Sequence, residues 1–127
     1  MIKFMQCIKS KEGISLQEFR RHWQKYEEEI RALGEAIGAI RVTLSTTLAV
    51  KENILIMKTR DSAWPFEGVA ELHVKKVQNL EAALEQPKVK ESIKAIQAHQ
   101  EKFVDIENSC FFFVMENVLF DHSADAS

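Results

Sequence analysis

A chain of 127 residues, 46% hydrophobic and 28% charged, is long enough for one domain with its own core. Its net charge of -2 supplies no field to attract nucleic acid or an anionic membrane, so neither is expected as a partner. No apolar run approaches the roughly 18 residues of a membrane span. Residues 1–6 lack the basic-then-apolar order of an export signal, so a soluble, cytoplasmic protein is expected.

Residues 2–9 read as a strand, with Ile2, Phe4, Gln6 and Ile8 on one face and Lys3, Met5 and Cys7 on the other. A turn at Lys11-Glu12-Gly13 leads to a marked helix start, Ser15 followed three residues on by Glu18. Leu16, Phe19, Trp23, Tyr26, Ile30 and Leu33 then recur at steps of three and four, one apolar stripe of helical period. Gly34 suits the left-handed stop of that helix. Residues 39–48 alternate as a strand, Ile40, Val42 and Leu44 against Arg41, Thr43 and Ser45. Residues 53–66 are open to three readings, a short extra strand at 53–58 hairpinned through Lys51-Glu52, a loop, or a lid over a pocket carrying Trp64 and Phe66, with residues 60–64 as exposed loop before Pro65.

Residues 68–74 form a further strand, Ala70 and Leu72 on one face and Val69, Glu71 and His73 on the other. Val77, Leu80 and Leu84 begin an uncapped helix. Pro87 opens another, whose buried stripe is Val89, Ile93, Ile96 and Phe103. Residues 110–120 close the fold as the last strand, and residues 110–115 within it are apolar without alternation, the pattern of a strand covered on both faces. Residues 121–127 read as a polar, disordered tail after a single domain over 1–120. Cys7 and Cys110 match no metal spacing and read as small buried apolar side chains. The order of strand, helix, two strands, helices and strand is the α+β, ferredoxin-like βαββαβ plan with an antiparallel sheet. Helices cover one sheet face. A chain this short cannot also cover the phenylalanines of its last strand, so a homodimer pairing sheet on sheet is expected.

Three segments carry a resemblance. Residues 13–23 (Gly-Ile-Ser-Leu-Gln-Glu-Phe-Arg-Arg-His-Trp) resemble the opening of EthD-family proteins. Residues 66–72 (Phe-Glu-Gly-Val-Ala-Glu-Leu) are similar to that family's third strand. Residues 102–109 (Lys-Phe-Val-Asp-Ile-Glu-Asn-Ser) resemble its closing segment. The resemblance implies a dimeric α/β barrel that uses no metal or organic cofactor and takes small lactones, quinones or polyketides in an apolar pocket, in degradation or tailoring chemistry. Four residues after its helical Trp the family usually has a His followed by Gly-Pro, and in the lactone isomerase type that His is catalytic. Here Glu27, then Glu28 and Glu29, stand at those positions.

The candidate proton-handling set is Glu27 with His22 or Tyr26. At about 100° per residue Glu27 projects roughly 40° from Trp23, at the edge of the apolar stripe. Buried there it would have a raised pKa and serve as general acid or base; turned outward it would pair with Arg31. His22 flanks the stripe on its other edge, and Tyr26 carries a hydroxyl that needs a partner. Phe19 and Trp23 are candidate pocket walls. Arg41, Glu71 and His73 are candidate substrate-binding groups, or alternatively partners at the dimer seam, with Arg41 paired to Glu71. His99 and His122 read as solvated. The functional expectation is a cofactor-free isomerase or dehydratase acting on a small oxygenated apolar molecule. Its alternatives are a non-enzymatic binding or accessory module and a monooxygenase of the antibiotic-biosynthesis type.

Overall fold

The structure, a computed structural model, describes residues 1–125. Its elements are β1 (Ile2–Ile8), α1 (Leu16–Ala36), β2 (Arg41–Thr46), α2 (Lys51–Arg60), β3 (Gly68–Val74), α3 (Val77–Leu84), α4 (Pro87–Phe103) and β4 (Cys110–Met115). The strands form one antiparallel sheet in the order β2-β3-β1-β4. With α2 as an insertion between β2 and β3, this is the α+β ferredoxin-like plan. Of the expected tail, residues 126 and 127 lie outside the described residues, and Ser123–Asp125 forms a 3-10 turn.

The apolar stripe of α1 makes the core. Phe19, Trp23, Tyr26, Ile30 and Leu33 are buried with Ile8, Ala70 and Leu72 of the sheet and Val89, Ile96, Phe103 and Val104 of α4 and its end. Burying each large side chain contributes about 1.5–3 kcal/mol. Rings stack along the helix, Phe19 on Trp23 at 5.5 Å and Trp23 on Tyr26 at 5.4 Å. Ser15 caps α1 by accepting the Glu18 N–H at 3.1 Å. Leu16, placed on the stripe by its spacing, is exposed on the first turn.

Gly34 does not end α1. The helix runs on to Ala36, and Gly38, with φ of 72°, makes the left-handed turn. Gly34 is small for another reason: a Cβ there would run into the Val42 methyl of β2. Residues 53–58 are helical, not a strand. Asn53 Nδ2 donates to the Leu48 carbonyl at 2.7 Å and starts a turn, Lys58 and Arg60 complement the C-terminal dipole, and Asp61 adopts a left-handed cap with φ of 51°. These local terms outweigh the β-branched Ile54 and Ile56. The last strand stops at Met115 rather than at residue 120. Neither cysteine is fully buried: Cys110 is exposed and Cys7 only half buried, directly opposite each other in the β1–β4 register at the end of an edge strand. Among the described residues no helix is long and apolar enough to cross a membrane.

Candidate functional site

The sheet face that meets the helices does not close completely. A cavity of about 650 Å³ lies between β1, β3 and β4 below and α1, α3 and α4 above. Phe4, Leu72, Ile93, Ile96 and Phe113 are among its mainly apolar walls. That size and polarity suit a small organic molecule. Two buried amides interrupt the apolar lining, Gln6 on β1 and Gln100 on α4. Tyr26 joins them from α1. Its hydroxyl donates to Gln6 Oε1 and accepts from Gln100 Nε2 at 2.8 Å. Burial pushes the Tyr26 phenol up to about 12, so it stays protonated and acts as a hydrogen-bonding group rather than a base. Alternation of the first strand puts Gln6 on the core face, and period puts Tyr26 on the stripe. That the two meet follows only from the packing of α1 over β1.

A second polar array lies where α1 crosses α4. His99 is buried. Its Nδ1–H donates to Glu29 Oε1, and its Nε2 is 2.9 Å from Nδ1 of His22. Since a carboxylate only accepts, Glu29 fixes the His99 proton on Nδ1. In the neutral ring Nε2 then accepts from His22, whose own Nε2 is left as the basic end of the chain. His22 stacks on Phe103 at 5.1 Å with planes 7° apart, and His99 lies 4.8 Å from the same ring. The His99 ring is 6.2 Å from that of Tyr26, so the two arrays adjoin. His99 is therefore not the solvated histidine that the sequence suggests. It falls three residues after Ile96 and four before Phe103, on the buried stripe of α4, and that spacing is the signal for it.

Glu27 is exposed and pairs with Arg31 at 3.1 Å, one turn along α1. The two line a smaller cavity of about 230 Å³ with Val42 and Leu44, apart from the array of Tyr26. The structure thus brings Tyr26 near His22, through His99, and leaves Glu27 separate from both. Replacing Glu27 by Gln is expected to change stability by no more than about 0.5 kcal/mol, the scale of an exposed i,i+4 pair, in urea denaturation.

Phe19 and Trp23 are core residues that do not line the large cavity, though Trp23 stacks on Tyr26. Arg41, Glu71 and His73 lie on the opposite, outer face of the sheet. Register sets Arg41 across from His73 and Thr43 across from Glu71. Glu71 therefore pairs not with Arg41 but with Lys3 at 3.2 Å and with the Thr43 hydroxyl at 3.2 Å; Lys3 also reaches Glu116 at 2.8 Å. His73 is buried, and its Nε2 has no hydrogen-bond partner among the described residues. No group of three or more His, Cys, Asp or Glu among the described residues is arranged to hold a metal ion.

His22 and His73 are both held below the ordinary histidine pKa. For His22 burial leads, followed by the neighbouring His99; for His73 burial leads, followed by Lys3. The fold favours the neutral rings, so the unfolded chain takes up these protons first. Stability from this source is complete above about pH 6.5 and declines as pH falls through that value toward the lower folded pKa values. Thermal melts should show a lower midpoint at pH 5.5 than at pH 7.5, and His73→Gln should reduce the difference.

A family profile described as the EthD domain matches residues 11–107. No curated protein sequence matches the chain. A dimeric protein of unknown function and ferredoxin-like fold from Bacteroides fragilis NCTC 9343 superposes with a TM-score of 0.62 at 9% identity, covering 91% of this chain and 95% of that one. An ethyl tert-butyl ether degradation (EthD) family protein from Bacillus halodurans C-125 gives 0.57 at 14%, covering 92% and 99%. A cofactor-independent oxygenase from Streptomyces nogalater gives 0.55 at 14%, covering 94% and 97%. At these identities the likeness to solved structures is one of fold.

Proposed function

We infer, from the premise that the chain belongs to the EthD family, that it binds one small, mainly apolar, oxygenated molecule of the lactone, quinone or polyketide class in the cavity between sheet and helices. The observation that carries this reading is the array Gln6–Tyr26–Gln100, whose two buried amides line a mainly apolar cavity. Gln6 spends its carbonyl on Tyr26, which leaves its NH2 to meet a ligand oxygen, while the walls exclude water and take the hydrocarbon part. The net charge of -2 fits a neutral organic ligand better than nucleic acid.

A second reading, conversion as well as binding, is favoured by the Glu29–His99–His22 chain beside Tyr26. In it the reaction is a cofactor-free proton transfer, an isomerisation or a dehydration. The NH2 of Gln6, held in place by Tyr26, polarises the ligand oxygen and His22 supplies the basic end. Glu27 enters only if the ligand extends to the smaller cavity. The partner is a second copy of the chain. Phe112 of β4, across from Met5 on the outer face of the sheet, is exposed in the single subunit, and the Bacteroides protein of like fold is dimeric. In that pairing Arg41, Glu71 and His73 belong to the seam between sheets rather than to the ligand.

Calorimetry and product analysis with a panel of lactones and naphthoquinones test the proposal. Saturable binding that Tyr26→Phe weakens supports the site, and product formation lost in Tyr26→Phe but kept in Glu27→Gln supports conversion. Binding without product favours the binding module, and oxygen uptake on an electrode would favour chemistry like that of the Streptomyces enzyme. No binding by any member of the panel contradicts the ligand class.

A further inference from the structure

Helix α2 has no buried residue, yet it carries Leu55 at 64% and Ile56 at 60% exposure, with Trp64 beyond it at 64%. Ten residues make a helix of about 15 Å, too short to be stable in water without packing. Within its own subunit only Asn53 and Met57 of the helix are half-buried, and none of its residues lines the cavity. At the far edge of the sheet, β4 shows the complementary deficit. It is an edge strand with exposed aromatic side chains, and it forms one flank of the cavity through Phe111 and Phe113. Lining residues Gln97, Glu101 and Ile106, also exposed, gather at the same flank.

We propose that α2 of a second copy seats on the β4 edge and closes the open flank of the cavity, so that each site is completed by the other subunit. This rests on the homodimer reading above. The sheet order places β2, from which the chain leads into α2, and β4 at opposite edges. A two-fold axis running along the strands between two facing sheets lays the β2 edge of each copy beside the β4 edge of the other. It also keeps the strand ends together. The chain leaves β2 for α2 at Thr46, opposite Gly68, and Gly68 is in register with Ile8, one residue from the Cys7–Cys110 pair that begins β4. Helix α2 therefore arrives at Ile106 and the start of β4. Charges match as well: Lys51, Lys58 and Arg60 outnumber Glu52 on α2, while Glu101, Asp105 and Glu107 outnumber Lys102 ahead of β4.

Sedimentation equilibrium and calorimetry with 1,4-naphthoquinone as probe test this on the full chain. Leu55→Glu/Ile56→Glu changes only exposed side chains, so its circular dichroism should match the parent. Its dimer dissociation constant should rise about a hundredfold and its probe affinity fall about tenfold. Phe112→Lys should do the same. Mixing the two variants should restore a heterodimer, because one contact is then wild type and the other sets Glu against Lys. A wild-type chain that stays monomeric overturns the homodimer reading and this proposal with it. A wild-type dimer whose dissociation and probe affinity are untouched by the α2 substitutions overturns the proposal alone and assigns α2 to a different protein or surface.

Discussion

Gly68→Val is expected to destabilise the protein by about 3 kcal/mol, the upper range for overpacking a core. A Cβ at Gly68 would lie 2.5, 2.8 and 2.9 Å from three atoms of the Trp23 ring. That ring cannot swing aside, because Phe19 stacks on one side of it and Tyr26 on the other. Either β3 moves away from α1 or the stack breaks, and both disturb the core that holds Tyr26 in place. Gly13→Ala is the control: its φ of 87° costs backbone strain of about 1 kcal/mol, but nothing lies within 4 Å of the new methyl. Thermal unfolding should place Gly68→Val roughly 10 °C below the parent. A shift no larger than that of Gly13→Ala would mean that α1 and β3 are not packed as described.

Tyr26→Phe is expected to cost about 2–3 kcal/mol although it removes a single oxygen. The Tyr26 hydroxyl serves both amides, so its loss leaves the carbonyl of Gln6 and the NH2 of Gln100 buried without their partner. An unpaired buried polar group costs about 1–3 kcal/mol. The same reasoning predicts recovery when the amides go as well. The triple change Gln6→Leu/Tyr26→Phe/Gln100→Leu should regain most of the loss, because no orphaned group remains. Urea denaturation of the single and triple variants measures this. Equal destabilisation of both would show that the array contributes little, and the polar end proposed for the ligand would lose its basis.

Much of the fold is legible in the sequence because periodicity reports burial directly. The α1 stripe from Phe19 to Leu33, the Gly68–Val74 strand and Pro87 opening α4 all follow from local spacing. Residues 53–58 are not legible as helix. Ile54, Leu55 and Ile56 carry no period when nothing in the same chain covers them, and the Asn53 contact to Leu48 that starts the turn is invisible before folding. The site is legible in parts. Tyr26 and His22 stand out as titratable groups along the α1 stripe. Gln6 and Gln100 do not, because amides carry no charge to mark them, and Glu27 stands out through its position after Trp23 although Arg31 holds it outward. Glu29 and His99 lie 70 residues apart, and only the crossing of α1 and α4 brings them together.

The most direct test fills the cavity. Ile93 lines it from α4 and is only partly buried, so Ile93→Trp should occupy the space while leaving the fold intact. Calorimetric titration with 1,4-naphthoquinone should show saturable binding of one molecule per subunit in the parent and none in Ile93→Trp. Equal binding by both proteins would place the ligand elsewhere and contradict the account.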